Sequence, residues 1–294
     1  MSISLLGATE IRKLADELAL IPSKGLGQNF VHDSNICEKI VRLADIGADD
    51  LVIEVGPGLG SLSLSIVKKG AKLIAIEIDK RLADRLPKTL IEHGVDQESF
   101  TVIAKDAMEI KRAELTTLGG ESRPLKLVAN LPYNVSVPVL LHFLEMEIFS
   151  DALVMVQSEV AQRLAAPPGS KEYGVPSAKV AWYADARLSD SIPRTVFWPI
   201  PRIDSSLLRL TMHQPLENET LRRSTFAIID AAFNQRRKML RSSLSPMLKE
   251  LVPDSSPERV LESSGIDPTS RAESLSVDQF LTIARTIETL RNSL

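Results

Sequence analysis

Leu51-Val52-Ile53-Glu54-Val55-Gly56-Pro57-Gly58-Leu59-Gly60 is the stretch on which the fold turns. A short apolar run followed by glycines at alternating positions reads as a buried strand. Its chain then turns tightly into a helix, here Ser61–Lys69, because glycine lets the backbone bend sharply and approach a ligand closely. On either side the same grammar repeats. Apolar runs Lys72–Ile78, Phe100–Ala104, Leu125–Ala129 and Ala152–Gln157 alternate with helical periodicity over Lys80–His93, Val137–Glu147 and Glu159–Ala165. Strands that read as continuous apolar runs are covered on both faces, so the alternation predicts a doubly wound, mainly parallel α/β sheet.

Two helices are expected before the first of these strands. Thr9 is placed to cap one carrying Ile11, Leu14, Ala15 and Leu18, which Pro22 stops, and Ser34 to cap another with Ile36, Ile40 and Leu43 inward, closed by Gly47. Prolines 193, 199 and 201 make Phe197-Trp198-Pro199-Ile200-Pro201 an extended loop, after which Ser205–Met212 forms a last strand. Beyond His213-Gln214-Pro215 the periodicity is helical throughout, over Glu219–Asn234, Arg236–Leu244, Pro257–Ser264 and Val277–Leu290. A domain cut near residue 214 follows, giving an α/β domain over 1–214 and a helical one over 215–294.

The bulk numbers exclude several classes. With 294 residues and one cysteine, Cys37, the chain can build a large core but no internal disulfide and no cysteine-rich zinc site, and no metal site is expected. No apolar stretch is long enough to span a bilayer and no signal-peptide pattern is present, so a cytoplasmic protein without membrane contact is expected. The net charge of −3 argues against a uniformly basic surface. Arg222-Arg223 and Arg236-Arg237-Lys238-Met239-Leu240-Arg241 nevertheless concentrate positive charge locally, as a phosphate-binding face requires.

In open α/β sheets ligands bind across the carboxyl ends of the strands, so loops 56–60, 77–79, 105–108 and 130–133 should converge on one crevice. Glu77, seventeen residues after Gly60, ends the second main strand and is placed to accept both hydroxyls of a ribose. That feature suits a nicotinamide dinucleotide and S-adenosylmethionine equally. Asp106 is placed either to accept the amino group of a bound adenine or to cap the next turn. Asn130-Leu131-Pro132-Tyr133 separates the two chemistries. Hydride transfer has no use for an amide, a proline and an aromatic ring at this strand end. Methylation of an exocyclic amine does: Asn130 and the Leu131 carbonyl can accept its two N–H groups, and Tyr133 offers a flat face to a base taken out of its stack.

Four segments together resemble the KsgA family of ribosomal RNA adenine N6,N6-dimethyltransferases: Gly27-Gln28-Asn29-Phe30, Glu54-Val55-Gly56-Pro57-Gly58, Asn130-Leu131-Pro132-Tyr133-Asn134 and Phe197-Trp198-Pro199-Ile200-Pro201. Pro168–Gly174 and Phe233–Leu240 also match, so the likeness runs along nearly the whole chain. It implies a Rossmann-like methyltransferase domain with a seven-stranded sheet and a small helical carboxyl-terminal domain. It further implies S-adenosyl-L-methionine held by Asn29, Val31, Gly56, Gly58, Glu77, Asp106 and Asn130. Catalysis would lie with Asn130, Leu131, Pro132, Tyr133 and Phe197, the two rings sandwiching the adenine. Arg236, Arg237, Lys238 and Arg241 would contact RNA. The implied substrate is a pair of adjacent adenosines in the terminal hairpin of small-subunit RNA within an immature 30S subunit, met by a monomer. Val31 stands where leucine is common in the family, and Lys105 where glycine is common. The competing readings are a large-subunit enzyme of the macrolide-resistance type, an assembly factor in which binding outweighs catalysis, and a dehydrogenase.

Overall fold

The computed structural model describes residues 3–20, 28–119 and 125–292; Pro22 and Gly25 to Gly27 lie outside them. The chain divides into two compact units. The first comprises residues 1–161 and 186–212, the second residues 162–185 and 213–294. The cut at Met212 adjoins the one read from the sequence, while the second unit also takes in Gln162–Asp185, a segment that periodicity alone attaches to the strand before it.

The first unit is built on a seven-stranded sheet. Among the described residues the strands in chain order are β1 (Phe30–Val31), β2 (Leu51–Val55), β3 (Lys72–Glu77), β4 (Phe100–Ala104), β5 (Leu125–Asn130), β6 (Phe149–Gln157), β7 (Ala184–Ile192), β8 (Phe197–Trp198) and β9 (Ser205–Met212), of which β1 and β8 form a separate pair. The order across the sheet is β4-β3-β2-β5-β6-β9-β7, with β2 to β6 parallel to their neighbours and β9 antiparallel to β6. All five residues of β2 are buried, so apolar contact on both faces holds the centre of the sheet. Burying one such Val or Ile contributes about 1.5–3 kcal/mol. β7 escapes the sequence reading because it is an edge strand, mostly exposed, with a polar sequence that carries no apolar run. The segment read as an extended loop contributes the short β8, which pairs antiparallel with β1 through Phe30 with Trp198 and Val31 with Phe197.

Helix ends depart from expectation by a residue or two, through their caps. Gly7 rather than Thr9 caps Ala8–Glu17, its amide donating to the Glu10 carboxylate at 3.0 Å. Asp33 rather than Ser34 caps Ser34–Leu43, accepting from the Asn35 amide at 2.9 Å. In each case a neighbouring side chain satisfies an amide that the helix leaves unpaired.

In the second unit, helices Glu219–Phe233 and Val277–Asn292 enclose an aromatic core: Tyr173 and Phe280 lie 6.0 and 6.2 Å from Phe233, and the Tyr173 hydroxyl donates to the Leu275 carbonyl at 2.8 Å. The helix expected over Arg236–Leu244 shrinks to Leu240–Ser243. Residues 235–238 form a turn instead, closed by the Lys238 amide on the Gln235 carbonyl at 2.8 Å. On a helix Arg237 and Arg241 would stand one turn apart, a like-charge pair that disfavours it.

Candidate functional site

Four strand ends meet at one cavity of about 240 Å³, lined by residues of segments 28–31, 54–62, 76–78 and 105–108 and by Asn130, Pro132, Asn134 and Val135, with Leu131 and Tyr133 beside it but outside its lining. The sheet creates it at a point of reversed order: β3 lies on one side of β2 and β5 on the other, so the loops leaving β2 and β5 splay apart. Gly56 and Pro132 nevertheless lie close together, since a Cβ on Gly56 would stand 3.6 Å from the Pro132 ring.

The glycine turn is shaped by its partners. Gly58, at φ +59°, donates its amide to Glu77 Oε2 at 3.1 Å, and a Cβ there would stand 2.8 Å from the Phe30 ring. Neither the backbone angle nor the space tolerates a side chain. Gly58→Ala is therefore expected to cost about 1–3 kcal/mol, read by urea denaturation, because Phe30 is itself fixed through β1.

Glu77 is 6 % exposed and uses one oxygen on Gly58 and the other on the Asp79 amide at 2.9 Å. Burial pushes its carboxyl up, against the pull of those two amides. The carboxylate is thus locked in orientation, with lone pairs left for ribose hydroxyls. Asp106 does cap the turn Ala107–Glu109, Oδ1 accepting from the Met108 amide at 2.9 Å. That bond engages one oxygen, so capping and acceptance of an amino group are compatible. Lys105 is drawn aside by Glu114, with both carboxylate oxygens 3.0 Å from its ammonium.

Asn130 is the turning point of the site. Its Nδ2 donates to the Asn29 carbonyl at 3.0 Å, which fixes the amide plane and directs Oδ1 away from that bond. Among the described residues Oδ1 is buried with no hydrogen-bond partner. A buried acceptor left unmatched costs about 1–3 kcal/mol, and such a cost is a mark of a group reserved for a ligand. Leu131 is buried and its amide donates to the Met155 carbonyl at 3.1 Å, so the backbone following Asn130 is held by β6. Tyr133 is half-buried and its hydroxyl lies 2.6 Å from Ser205 Oγ, which sets the ring plane.

Phe197 departs from expectation. It is fully buried, 0 % exposed, in the core against Val31, and it does not line the cavity. A ring without an accessible face cannot form one side of a base sandwich in this arrangement. Val31 is likewise buried but does line the cavity, as does Asn29.

The basic residues also resolve unequally. Arg236 is occupied: Nε meets Glu273 at 2.9 Å and a terminal nitrogen donates to the Lys171 carbonyl at 2.6 Å. Arg222 and Arg223 both bind Glu219, whose carboxyl they hold down at about 2. Among the described residues Arg237 and Lys238 make no such bonds, and Arg241 lies near Asp267, whose carboxyl is held down chiefly by the Thr269 amide and hydroxyl and only slightly by Arg241.

Two groups escaped the sequence reading. Glu54 lies in the middle of the buried β2, 1 % exposed, lining the cavity and accepting from the Ser63 hydroxyl at 2.6 Å. A carboxylate inside an otherwise apolar run was the available signal. Asp79, buried at the start of helix Lys80–Glu92, is held by Arg81 and accepts from Gln28 Nε2 at 3.2 Å, tying the 28–31 segment over the cavity. Cys37 is buried and its thiol is pushed well above the ordinary value, so it is no nucleophile.

A doubly wound sheet whose glycine turn, locked carboxylate and strand-end asparagine share one crevice defines a Rossmann-like methyltransferase fold. The chain belongs to the ribosomal RNA adenine dimethylase family, whose model matches residues 23–289. It is 49 % identical to a ribosomal RNA small subunit methyltransferase A of Corynebacterium jeikeium, covering 97 % of this chain and 96 % of the relative. A protein of the same description from Cutibacterium acnes is 48 % identical, covering 97 % and 94 %. Among solved structures, a dimethyladenosine transferase from Plasmodium falciparum superposes with a TM-score of 0.72 at 22 % identity, over 85 % of this chain and 94 % of that one. The 23S rRNA methyltransferase ErmE gives 0.61 at 20 % identity over 88 % and 99 %, a likeness of fold.

Proposed function

We propose that this chain transfers methyl groups from S-adenosyl-L-methionine to N6 of two adjacent adenosines in the 3'-terminal hairpin of small-subunit ribosomal RNA, within an immature 30S subunit, acting as a cytoplasmic monomer. The observation that carries the reading is the unpartnered Oδ1 of Asn130 at the end of β5, an acceptor placed for an amine N–H. Its company supports the same chemistry: Glu77 and Asp106, which line the same cavity, offer acceptors for a ribose and an adenine. When bound, the cofactor supplies an electrophilic methyl group on a sulfonium. Glu77 would hold its ribose and Asp106 its adenine.

The adenine amine is a poor nucleophile because its lone pair is shared with the ring. Asn130 Oδ1, by accepting one N–H, aligns the nitrogen and favours the loss of that conjugation; the Leu131 carbonyl would take the second N–H. No strong base is required of the protein, since the nitrogen becomes acidic once alkylated and positioning supplies much of the acceleration. Tyr133 would carry the base on its ring, as stacking platforms do. Phe197 would have to turn out from behind β1 to reach the other face of that base, since it is buried and outside the cavity lining in this structure.

Undermethylated small subunits incubated with labelled S-adenosylmethionine and the purified chain should yield dimethyladenosine at the two hairpin positions after nuclease mapping. Label in large-subunit RNA alone, or none, would refute the assignment.

A further inference from the structure

Between β8 and β9 the chain forms a loop, Pro199 to Asp204, whose tip presents bare apolar surface: Ile200 is 63 % exposed and Ile203 41 %. Two large aliphatic side chains in water are unusual on a segment so firmly fixed. The Asp204 carbonyl accepts from both the amide and the hydroxyl of Ser158, each at 3.1 Å, and Asp204 Oδ1 accepts from the Arg194 amide at 2.9 Å. Arg194 also donates from its guanidinium to the Arg202 carbonyl at 3.1 Å. Pro199 and Pro201 flank Ile200 and restrict the backbone further. The apolar tip is therefore held out by construction.

Its place in the fold is specific. On one side Trp198 and Phe197 pair with Phe30 and Val31, both lining the cavity. On the other, Ser205 bonds the hydroxyl of Tyr133 at 2.6 Å. The loop is therefore fastened at both ends to segments that border the site. Between the two isoleucines lies Arg202, whose guanidinium makes no hydrogen bond or ion pair among the described residues. Aliphatic side chains beside an unpaired cation match an RNA backbone with a parted base step.

We propose that Ile200 and Ile203 form a wedge that enters the RNA stack beside the target adenosine, with Arg202 holding the adjoining phosphate. The inference rests on the reading of the site as an RNA adenine methyltransferase. It assigns to an aliphatic tip the task of keeping the base extruded. These are positioning residues, acting through the RNA rather than on the reacting atoms.

The test uses the full chain on undermethylated small subunits with labelled cofactor. The double substitution Ile200→Ser with Ile203→Ser should lower kcat roughly tenfold or more, because an unheld base returns to its stack. Cofactor affinity by calorimetry and the thermal midpoint should stay unchanged, since neither side chain is buried. Ile200→Leu with Ile203→Leu should restore kcat to near the parental value, and Arg202→Ala should raise KM and weaken its salt dependence by about one phosphate contact. Parental kcat/KM in the serine variant would overturn the wedge, as would equal impairment of the leucine and serine variants. Failure of the parental chain to methylate would overturn the functional reading itself, a distinguishable result.

Discussion

Asn130→Ala is expected to lower kcat for methylation by roughly a hundredfold or more while the variant still binds small subunits, because misplacing a reacting group by about 1 Å can cost that much. The residue makes two opposite contributions to the free protein. Its Nδ2 bond to the Asn29 carbonyl stabilises the fold, and its buried Oδ1 lacks a partner. Removing both together should change stability by about 1 kcal/mol or less, since a net hydrogen bond contributes about that and an unmatched acceptor costs a similar amount. A large loss of turnover beside a small change in denaturation midpoint is thus the signature of an acceptor kept for substrate. Asn130→Asp separates the two atoms further. It keeps an acceptor but loses the donor that fixes the plane, and the carboxylate faces the Asn29 carbonyl. Its turnover should fall between those of the parental chain and the alanine variant. Parental kcat in Asn130→Ala would remove the basis of the proposed grip on the amine.

The sheet was legible wherever burial on both faces writes an apolar run. β2 begins and ends where its sequence predicts, β9 closes the series at Ser205–Met212, and β4, an edge strand with only Phe100 buried, was legible because its own sequence is apolar. β7 was not legible, because an edge strand half in water needs no apolar pattern. The cavity was readable for a different reason. Chain direction in a parallel sheet forces the loops after successive strands to one side, so Gly56, Glu77, Asp106 and Asn130 had to meet once the strands were recognised. Side-chain orientation did not follow from that rule. Phe197 sits two residues before the first of two prolines in an apparent loop, yet pairing with β1 turns its ring inward. Arg236 is separated by sixty-five residues from the Lys171 carbonyl it engages, and no local pattern reports such a partner. Charge runs show where cations are dense, and only tertiary contacts show which of them are spent.

Glu54 makes the second large effect one of pH. Burial in the centre of β2 pushes its carboxyl up to about 8 from the ordinary 4.5; the Ser63 hydroxyl, 2.6 Å away, draws it partly back and the nearby Glu77 charge adds to the rise. A carboxyl that ionises less readily folded than unfolded binds more protons in the native state. Its contribution to stability is complete below about 4.5, declines as pH rises, and is gone above about 8. The decline amounts to a few kcal/mol, at roughly 1.4 kcal/mol per unit of displacement. Glu54→Gln keeps the shape and an acceptor for Ser63 but cannot ionise. Urea titrations from pH 5 to pH 9 should therefore show the parental chain losing stability steadily relative to the variant. The same group borders the cavity, so a cationic ligand there favours the carboxylate and brings its ionisation down toward neutrality. Uptake of S-adenosylmethionine near pH 7 should accordingly release part of a proton, seen as a dependence of binding heat on the ionisation enthalpy of the buffer, and Glu54→Gln should reduce that dependence, leaving any share that comes from Glu77. A stability difference between the two chains that stays flat across this pH range would show that Glu54 is ionised throughout and that the core of β2 accommodates its charge.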